Sequence, residues 1–391
     1  MQPQHLPTGL PAPDPDSLAH SRRVARHIAQ RIAAEGGRLS FGEFMHEALY
    51  APGLGYYVAG NRKFGAAGDF VTAPEVSPLF GRVIARQCAE VAGAMPRASI
   101  LEIGAGSGAL AAQLLCRLRD LDALPERYLI LEVSAELAAR QRVRLERECP
   151  EAVGILQWVD TVPDRFAGTV IANEVADALP VERFRMQQGV VHQAFVNVAE
   201  DGGFAWEWRA ASPRVDAAVR DLGIDFADGY ESEICLGLKP WIGDLVDAVD
   251  RGLLLIFDYG LPRHDYYAHG RSGWLRCTFR HRAHDDPLIL PGIQDLTAWV
   301  DFTAVAEAAV SHEAAVAGYV TQAMFLLQGG LENEFAAASA ASTTERAELS
   351  RQVKLLTLPS EMGENFKCIG LAKGDVVVPA ALRGIDMTAS L

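Results

Sequence analysis

The sequence is poor in cysteine, in long apolar runs and in positive charge, and each shortage excludes a class of protein. Six cysteines are spread over 391 residues without a C-x-x-C pair, and the closest two, Cys88 and Cys116, are 28 residues apart. This spacing argues against a zinc framework and a small disulfide scaffold, and it favours a reducing compartment. No apolar run approaches the roughly 18 residues that span a bilayer. Residues 1–16 lack the charged start and apolar core of a secretion signal.

Charge and composition narrow the class further. The 50 acidic residues exceed the 36 lysines and arginines, so the net charge is −14, which argues against a general binder of nucleic acids or anionic membranes. Nearly half of the residues are hydrophobic (49%), enough for a large buried core. We therefore expect a folded protein of the cytoplasm, or of the mitochondrial matrix if the host is eukaryotic, without nucleic-acid or membrane partners.

Periodicity divides the chain into five stretches. Apolar residues at helical spacing predict a helix from Ser17 to Ala34. Val190–Val198 and Phe204–Trp208 predict a hairpin about an Asp-Gly-Gly turn, typical of an antiparallel insertion. Residues 331–350 predict a surface helix or a mobile stretch, and Val376–Val378 predict a last strand. The stretches are a disordered lead (1–16), an N-terminal cap of helices and loops (17–95), a core (96–260) with the antiparallel insertion near 190–235, an inserted segment on the substrate side (261–330), and the C-terminal completion of the core with its tail (331–391).

Short apolar strands alternate with helices in the middle of the chain. This rhythm is typical of an α/β fold with a mostly parallel, doubly wound, Rossmann-like sheet. The predicted elements are the strand Ile100–Ile103, the helix Ala109–Arg119, the strand Tyr128–Val133, the helix Glu136–Glu148, and the strands Val170–Ala172 and Leu253–Phe257.

A glycine-rich turn joins the first of these strands to its helix. Glycine allows a positive φ and lets a ligand approach the backbone, and the helix N-terminus beyond it offers unpaired N–H groups. The turn nearly matches the G-x-G-x-x-A dinucleotide fingerprint through Gly104, Gly106 and Ala109. It also matches the E-x-G-x-G-x-G motif of S-adenosylmethionine (SAM)-dependent methyltransferases through Glu102 and Gly108. We favour SAM, because an acid at position 102 suits the methionine ammonium and a dinucleotide has no such need.

Acidic side chains follow the neighbouring strands where a ligand crevice is expected. Glu132 ends the next strand, where a carboxylate accepts hydrogen bonds from ribose hydroxyls; NAD and SAM share this ribose, so Glu132 does not choose between them. Asn173, Glu174 and Asp177 follow the third strand, and Asp258 follows a later one. The carboxyl ends of parallel strands border the ligand crevice of an open sheet. We expect these residues to line the site.

Together these motifs resemble the MidA-type SAM-dependent methyltransferases, whose mitochondrial member is an arginine methyltransferase that assists the assembly of respiratory complex I. The resemblance covers roughly residues 38–372. The T-A-P-E-V-S, N-E-x-x-D-A-L-P and D-L-T-A-x-V-D-F runs, in this order, are specific to the family. The matching stretches are Lys63–Gly81, Leu101–Gly108, Asn173–Pro180, Asp258–Gly260, Arg276–Phe302, Gly318–Leu327, Met362-Gly363 and Phe366-Lys367.

The sequence departs from the family pattern near the expected substrate pocket. Many relatives carry aromatic residues where Val175 and Ala176 stand, and Arg276 is followed by Cys277, with no glycine or tyrosine in the residues just after it. These departures concern the shape of the pocket more than cofactor binding.

The resemblance implies a Rossmann-like core, SAM as methyl donor with S-adenosylhomocysteine (SAH) as product, and a protein arginine as acceptor. A guanidinium is always charged, so carboxylates must hold it and concentrate electron density on one nitrogen. We expect Glu174, Asp177 and Asp258 to serve in catalysis. The predicted cofactor-binding residues are Glu102, Gly104, Gly106, Gly108, Glu132, Asn173 and Glu75, although Glu75 could contact the substrate instead.

Several alternatives stay open at this point. The acceptor could be a small molecule or a carboxylate, the enzyme could be an NAD-dependent oxidoreductase, or the chain could be a non-catalytic assembly factor that keeps SAM as a structural ligand. The run from His281 to Asp286 holds enough ligands for a metal, but methyl transfer to nitrogen needs none, so we expect a salt-bridged loop in which Arg280 and Arg282 pair with Asp285, Asp286 or Asp301. A partner protein with an accessible arginine is expected, and a homodimer is one expectation for the assembly.

Overall fold

Helices and strands account for most of the chain in the computed structural model, which describes residue 7 and residues 9–59, 71–268, 273–338 and 343–391. Two compact units are present. The first consists of Met1–Phe70, Asp177–Leu238 and His264–Trp299, and the second of Val71–Ala176, Lys239–Arg263 and Val300–Leu391. In the described ranges no helix has the length and apolar character needed to cross a bilayer. Lys63–Phe70, the start of one family stretch, lies outside the described residues, as do residues 1–6 and 8 of the predicted lead.

The helices are numbered in chain order. They are α1 (Pro15–Ala34), α2 (Phe41–Tyr50), α3 (Ala73–Val76), α4 (Pro78–Gly93), α5 (Ala109–Asp120), α6 (Ala135–Glu148), α7 (Pro213–Arg220), α8 (Leu238–Ala248), α9 (Arg263–Tyr266), α10 (Phe302–Ser311), α11 (Gln322–Gln328), α12 (Leu331–Ala338), α13 (Thr343–Thr357), α14 (Met362–Asn365) and α15 (Ala380–Arg383). Short 3₁₀ turns span Pro150–Ile155, Ala176–Ala178 and Thr388–Ser390.

The strands are numbered in the same way. They are β1 (Leu39–Ser40), β2 (Ser99–Ile103), β3 (Tyr128–Leu131), β4 (Leu156–Val159), β5 (Phe166–Asn173), β6 (Glu182–Gln187), β7 (Val190–Val198), β8 (Phe204–Ala210), β9 (Glu231–Ile234), β10 (Val249–Leu261), β11 (Arg276–Phe279), β12 (Arg282–His284), β13 (Asp295–Thr297), β14 (Val300–Asp301), β15 (Ala315–Thr321) and β16 (Phe366–Lys373).

The second unit is built on an eight-stranded sheet. Its order is β15-β16-β10-β5-β2-β3-β4, with β14 alongside β10. The strands from β10 to β4 pair in parallel, while β16 runs antiparallel between β10 and β15. Strands that alternate with helices and pair in parallel place their carboxyl ends at one edge. The predicted α/β fold with a mostly parallel, Rossmann-like sheet is confirmed.

The core of this unit explains why its strands are nearly continuous apolar runs. All five residues of β2 are buried, as expected for a strand that helices cover on both faces. The rings of Phe80 and Phe325 pack edge-on against Phe257, with centroids 5.4 and 4.8 Å apart. These aromatic contacts tie α4 and α11 to β10 and hold the strand ends that carry the candidate site.

The first unit consists mainly of antiparallel strands. One sheet has the order β1-β7-β6-β9 with β8 beside β7, and a second has the order β12-β11-β13. The predicted hairpin is confirmed, because Val198 pairs with Phe204 and the ladder continues to the strand ends. Apolar side chains of α1 and α2, including Ile28, Phe41 and Phe44, are fully buried in the core of this unit.

Two predictions about local structure need correction. Helix α1 begins at Pro15, two residues before the predicted start, because Asp14 accepts the Ser17 N–H as N-cap and proline suits the first turn. Val376–Val378 is not a strand; Val376 and Val378 pack against the core, and β16 is the last strand. The predicted surface helix over 331–350 is confirmed for the described residues: the stretch contains α12 and the start of α13, and most of its described side chains are exposed, although Glu334 in α12 is fully buried. Residues 339–342 lie outside the described residues.

Candidate functional site

The glycine-rich turn adopts a backbone that its sequence makes accessible. Gly104, Gly106 and Gly108 have φ values of 64, 53 and 76°, in the left-handed region that glycine enters without a steric penalty. A Cβ on Gly104 would lie 3.2 Å from Val175 Cγ2, and one on Gly108 would lie 3.3 Å from Gln141 Cγ. The turn therefore needs glycine for its conformation and for the close approach of its neighbours, and it leads directly into α5.

Glu132 lies just beyond β3 and is held by two donors. Its Oε1 accepts the backbone N–H of Ser134 at 2.9 Å, and its Oε2 accepts the side-chain amide of Gln141 at 2.9 Å. The same amide donates to the carbonyl of Gly106 at 3.0 Å. The structure thus brings the predicted ribose acid and the glycine-rich turn together through Gln141.

The motif predicts that the Glu102 carboxylate faces the cofactor, and in the structure this carboxylate is buried against a tyrosine. Its side chain is only 2% exposed, and it accepts a 2.5 Å hydrogen bond from the hydroxyl of the buried Tyr128. Burial raises the pKa of this carboxyl to about 7, although the Tyr128 hydrogen bond opposes the rise and the charge of Glu132 adds to it. The predicted role of Glu102 beside the methionine ammonium stays a prediction.

The T-A-P-E segment lies against the glycine-rich turn. The Ser107 hydroxyl donates to the Glu75 carboxylate, and Arg144 on α6 donates to Ser107 Oγ at 3.1 Å and approaches Glu75 at 3.5 Å. Gln113 on α5 donates to the Pro74 carbonyl at 2.7 Å. The predicted residue Glu75 and the glycine-rich turn, more than 30 positions apart, are therefore joined by one network of hydrogen bonds.

The N-E motif at the end of β5 contains a strained residue. Glu174 has a φ of 54°, a conformation that costs a residue other than glycine on the order of 1–2 kcal/mol. Its Oε1 accepts from the Asn173 amide at 3.2 Å and from the Ala73 N–H at 3.4 Å. The structure brings Asn173 and Glu174 next to the T-A-P-E segment, and strain of this kind often marks a functional position.

Asp258 acts on the backbone that follows this motif. It is fully buried, and its Oδ2 accepts the Ala176 N–H at 3.0 Å while Oδ1 accepts the Tyr259 N–H at 3.0 Å. These contacts are those of a residue that holds the chain after Glu174 in place. The catalytic role predicted for Asp258 stays a prediction.

Asp177, the third predicted catalytic acid, is the first residue of the segment Asp177–Leu238 of the first unit. It is 5% exposed. Within that unit, the Tyr57 hydroxyl donates to Asp295 at 2.8 Å, and the Tyr50 hydroxyl donates to the Ala178 carbonyl at 3.0 Å. The two tyrosine rings stack with centroids 5.5 Å apart. Burial raises the pKa of Tyr50 well above its usual value, and the charges of Asp177 and Asp295 raise it further. This cluster combines carboxylates with flat aromatic faces.

Several residues of these networks were not predicted from the sequence. Gln141 is fully buried, and its signal was available: it stands between Leu137 and Leu145 on the buried stripe of α6, where a polar side chain is unusual. Ser107 and Arg144 carried no comparable signal, because a serine in a glycine-rich turn and an arginine on a helix are ordinary surface residues.

The 276–286 segment shows contacts that differ from the predicted pairs. Arg280 pairs with Asp14 at 2.5 Å, Asp285 pairs with Arg276 at 3.4 Å, and Asp301 pairs with Arg263 at 3.1 Å. Asp285 and Asp301 therefore pair with other arginines than the predicted Arg280 and Arg282, because the fold brings Arg276 and Arg263 to them. In the described ranges, no three side chains of His, Cys, Asp or Glu form a group that could hold a metal.

The residues of the second unit fit the binding of a nucleoside cofactor. The glycine-rich turn presents backbone without Cβ atoms before the N-terminus of α5, and Glu132 supplies a fixed carboxylate at the end of the adjacent strand. This donor and acceptor set suits the ribose and methionine portions of SAM. The E-x-G-x-G-x-G motif predicts the same set of donors and acceptors.

Comparisons with known proteins identify the family. Residues 83–320 match the sequence profile of a family of S-adenosyl-L-methionine-dependent methyltransferases. A crystal structure from Burkholderia thailandensis, bound to S-adenosyl-homocysteine, is 38% identical over 98% of this chain and 100% of its own, with a TM-score of 0.93. Curated relatives include the mitochondrial protein arginine methyltransferase NDUFAF7 of Danio rerio, 29% identical over 90% of this chain and 87% of its own length, and its Drosophila melanogaster homologue, also 29% identical, over 93% and 88%.

These matches decide between the two cofactors that the glycine-rich turn left open. The cofactor is SAM and the product is SAH, so the dinucleotide interpretation is not retained. The chain belongs to the MidA-type family of SAM-dependent methyltransferases, and it is an enzyme of that class.

Proposed function

We propose that the chain is a protein arginine N-methyltransferase that acts on a partner protein. The observation that carries this proposal is the likeness, over about nine tenths of the chain, to relatives named protein arginine methyltransferases. The carboxylates of Glu174 and Asp177, the residues predicted to hold the methyl acceptor, support this proposal, since a guanidinium needs anionic partners. The net charge of −14 favours encounter with cationic partners.

SAM supplies a methyl group already activated on a sulfonium, so the chain must mainly bind, align and handle a proton. We assign Glu132 to the ribose, and Gly104, Gly106 and Gly108 to the close approach of backbone and cofactor. Glu75 and Asn173 stay cofactor-binding predictions, supported by their contacts with Ser107 and Glu174. Glu102, held by Tyr128, is proposed to face the methionine end.

We assign Glu174 and Asp177 to the acceptor, as two acids three residues apart after β5. A carboxylate that accepts a guanidinium N–H orients the nitrogen and increases its electron density, which favours transfer to that atom. Asp258 is proposed to support them by holding the Ala176 N–H. The stacked Tyr50 and Tyr57 rings near Asp177 support an arginine, whose planar cation stacks on aromatic faces.

Two other functions make distinct predictions. A small-molecule or carboxylate acceptor would leave no methylarginine in protein, and a non-catalytic assembly factor would keep its cellular role after loss of Glu174 or Asp177. The cytoplasmic or mitochondrial-matrix location and the homodimer stay predictions; the curated relatives are named mitochondrial.

The test is transfer of labelled methyl groups from SAM into a lysate of cells that lack this protein, followed by mass spectrometry of the labelled residue. Methylarginine is expected. Glu174→Gln and Asp177→Asn should bind SAH normally and lose transfer by on the order of 10²-fold or more, while Glu146→Gln on the exposed face of α6 should be unaffected. A label on a carboxylate or a metabolite would refute the arginine assignment. Loss of SAH binding in the two acid variants would place these acids in the cofactor site.

A further inference from the structure

Gln141 has an environment that goes beyond the packing of a helix. Its side chain is fully buried in the second unit and makes three hydrogen bonds. The amide nitrogen donates to the Gly106 carbonyl at 3.0 Å and to Glu132 Oε2 at 2.9 Å, and the amide oxygen accepts the indole N–H of Trp158 at 2.9 Å. Both N–H donors of the amide therefore have acceptors within the protein, at a position buried from solvent.

The orientation of this amide is fixed by its partners. An indole N–H can only donate, whereas a carbonyl and an ionised carboxylate can only accept. The amide oxygen must therefore face Trp158, and the nitrogen must face Gly106 and Glu132. The opposite orientation would direct the amide NH₂ at the Trp158 N–H and the amide oxygen at two acceptors.

Trp158 is itself held in place. It lies on β4, opposite Ile130 of β3 in a parallel ladder, and the guanidinium of Arg142 lies over its ring at 4.5 Å from the centroid. A cation over an indole face stabilises the ring position. The indole thus fixes Gln141 from the edge strand of the sheet, while the amide reaches the ends of β2 and β3.

We propose that Gln141 is a positioning residue for the cofactor ribose. It acts through Glu132, whose carboxylate it sets relative to the backbone of Gly106, so that one ligand meets both groups in a fixed geometry. Ser134 holds the second carboxylate oxygen, and the two donors together define the plane of the carboxylate. This inference rests on the proposed role of Glu132 at the ribose, and it extends that role to a residue that does not touch the cofactor.

The expected signature is a loss of ribose discrimination. Without the Gln141 donor, the Glu132 carboxylate keeps the hydrogen bond from Ser134 but is held less rigidly, so each ribose hydroxyl gains less from it when it binds. A Gln141 residue that only packs α6 against the sheet would instead weaken every ligand equally. The ratio of affinities for SAH and for its 2′-deoxy or 3′-deoxy analogue separates the two cases.

The experiment measures that ratio by calorimetry for the full chain and for Gln141→Met, with Gln157→Met, at the exposed position of β4, as the matched control. We expect the ratio to fall by about fivefold or more in Gln141→Met, the value of roughly one hydrogen bond, and to stay constant in Gln157→Met. Trp158→Phe keeps the ring and removes the N–H, so it should lower the ratio in the same direction; it also carries the test if Gln141→Met does not fold.

Glu132→Ala distinguishes failure of this inference from failure of the underlying role. If Glu132→Ala abolishes the discrimination while folded Gln141→Met and Trp158→Phe retain it, Gln141 is structural and the inference is overturned. If Glu132→Ala itself retains the discrimination, Glu132 does not bind the ribose, and the assignment of both residues is overturned.

Discussion

The Ser107 hydroxyl donates to the Glu75 carboxylate, although 32 positions separate the two residues in the chain. This bond fastens α3, which follows Thr72 and contains the rest of the T-A-P-E run, to the glycine-rich turn. Arg144 on α6 contacts both members, so three elements meet where the turn enters α5. A change at Glu75 should therefore affect the cofactor through the conformation of the turn, even without direct contact.

Replacing Glu75 by Gln should weaken SAH binding. The neutral amide loses the ion pair with Arg144 and the charge-assisted bond from Ser107, which together contribute on the order of 1–2 kcal/mol. Calorimetry should show a decrease in affinity of about five- to thirtyfold, and Ser107→Ala should give part of it. Glu146→Gln serves as the control. Unchanged affinity in a folded Glu75→Gln variant would mean that α3 does not set the turn.

Replacing Glu132 by Ala should remove the acceptor of the ribose hydroxyls. Two charge-assisted hydrogen bonds are lost, so binding of SAM and SAH should weaken by on the order of 2–4 kcal/mol. The unfolding temperature without ligand should change little in Glu132→Ala, since Glu132 is only partly buried. This change should be smaller than the rise in unfolding temperature that SAH gives the parent protein. Equal SAH affinity in the parent and the variant would contradict the assignment.

Much of the second unit could be predicted because its signals are local. The strand, the glycine-rich turn and α5 are consecutive in sequence, and Glu132 stands at the end of the next apolar run. The fold class follows from the same alternation. In such cases the residues that form an element and the residues that define its function are neighbours along the chain.

The remainder depends on contacts between distant residues. Strand β1 is two residues long and forms because Leu39 pairs with Val196 of β7. The sequence around Leu39 alone does not predict this pairing. The first unit likewise assembles three stretches that periodicity treats separately. Gln141 meets Gly106 from 35 positions away. A single sequence contains no measure of such distances, so the networks around the site appear only in the structure.

Glu102→Gln should change how stability depends on pH. Burial raises the pKa of Glu102 from 4.5 to about 7, so between these values the folded state binds more protons than the unfolded state. The free energy of unfolding should therefore fall as pH rises through that window, by up to about 3 kcal/mol. Urea unfolding should show this loss in the parent and a flatter profile in Glu102→Gln. Parallel profiles would mean that Glu102 does not titrate there.

Glu334→Gln should destabilise the second unit. Glu334 is fully buried and pairs with Arg82 at 2.8 Å and with Arg117 at 2.7 Å, joining α12 to α4 and α5. Burial acts to raise the pKa of Glu334, but Arg82 and Arg117 together outweigh it and hold the pKa below its usual value, so this stabilisation is lost as pH falls through the lowered pKa. Removing one partner of a buried pair costs about 3 kcal/mol. Urea unfolding near neutral pH should show the loss, and exposed Glu332→Gln should not.

Replacing Glu174 by Gly or by Ala should affect stability differently but methyl transfer equally. Its left-handed conformation (φ 54°) costs alanine roughly 1–2 kcal/mol, whereas glycine adopts it without that cost but loses about 0.5–1 kcal/mol through greater freedom in the unfolded chain. We expect Glu174→Gly to be more stable than Glu174→Ala by about 1 kcal/mol in urea unfolding, and both to lose methyl transfer by on the order of 10²-fold while binding SAH. The glycine variant then shows that strain is retained for the carboxylate. Equal stability of the two variants would remove the strain argument, and normal transfer in Glu174→Gly would remove the carboxylate from the reaction.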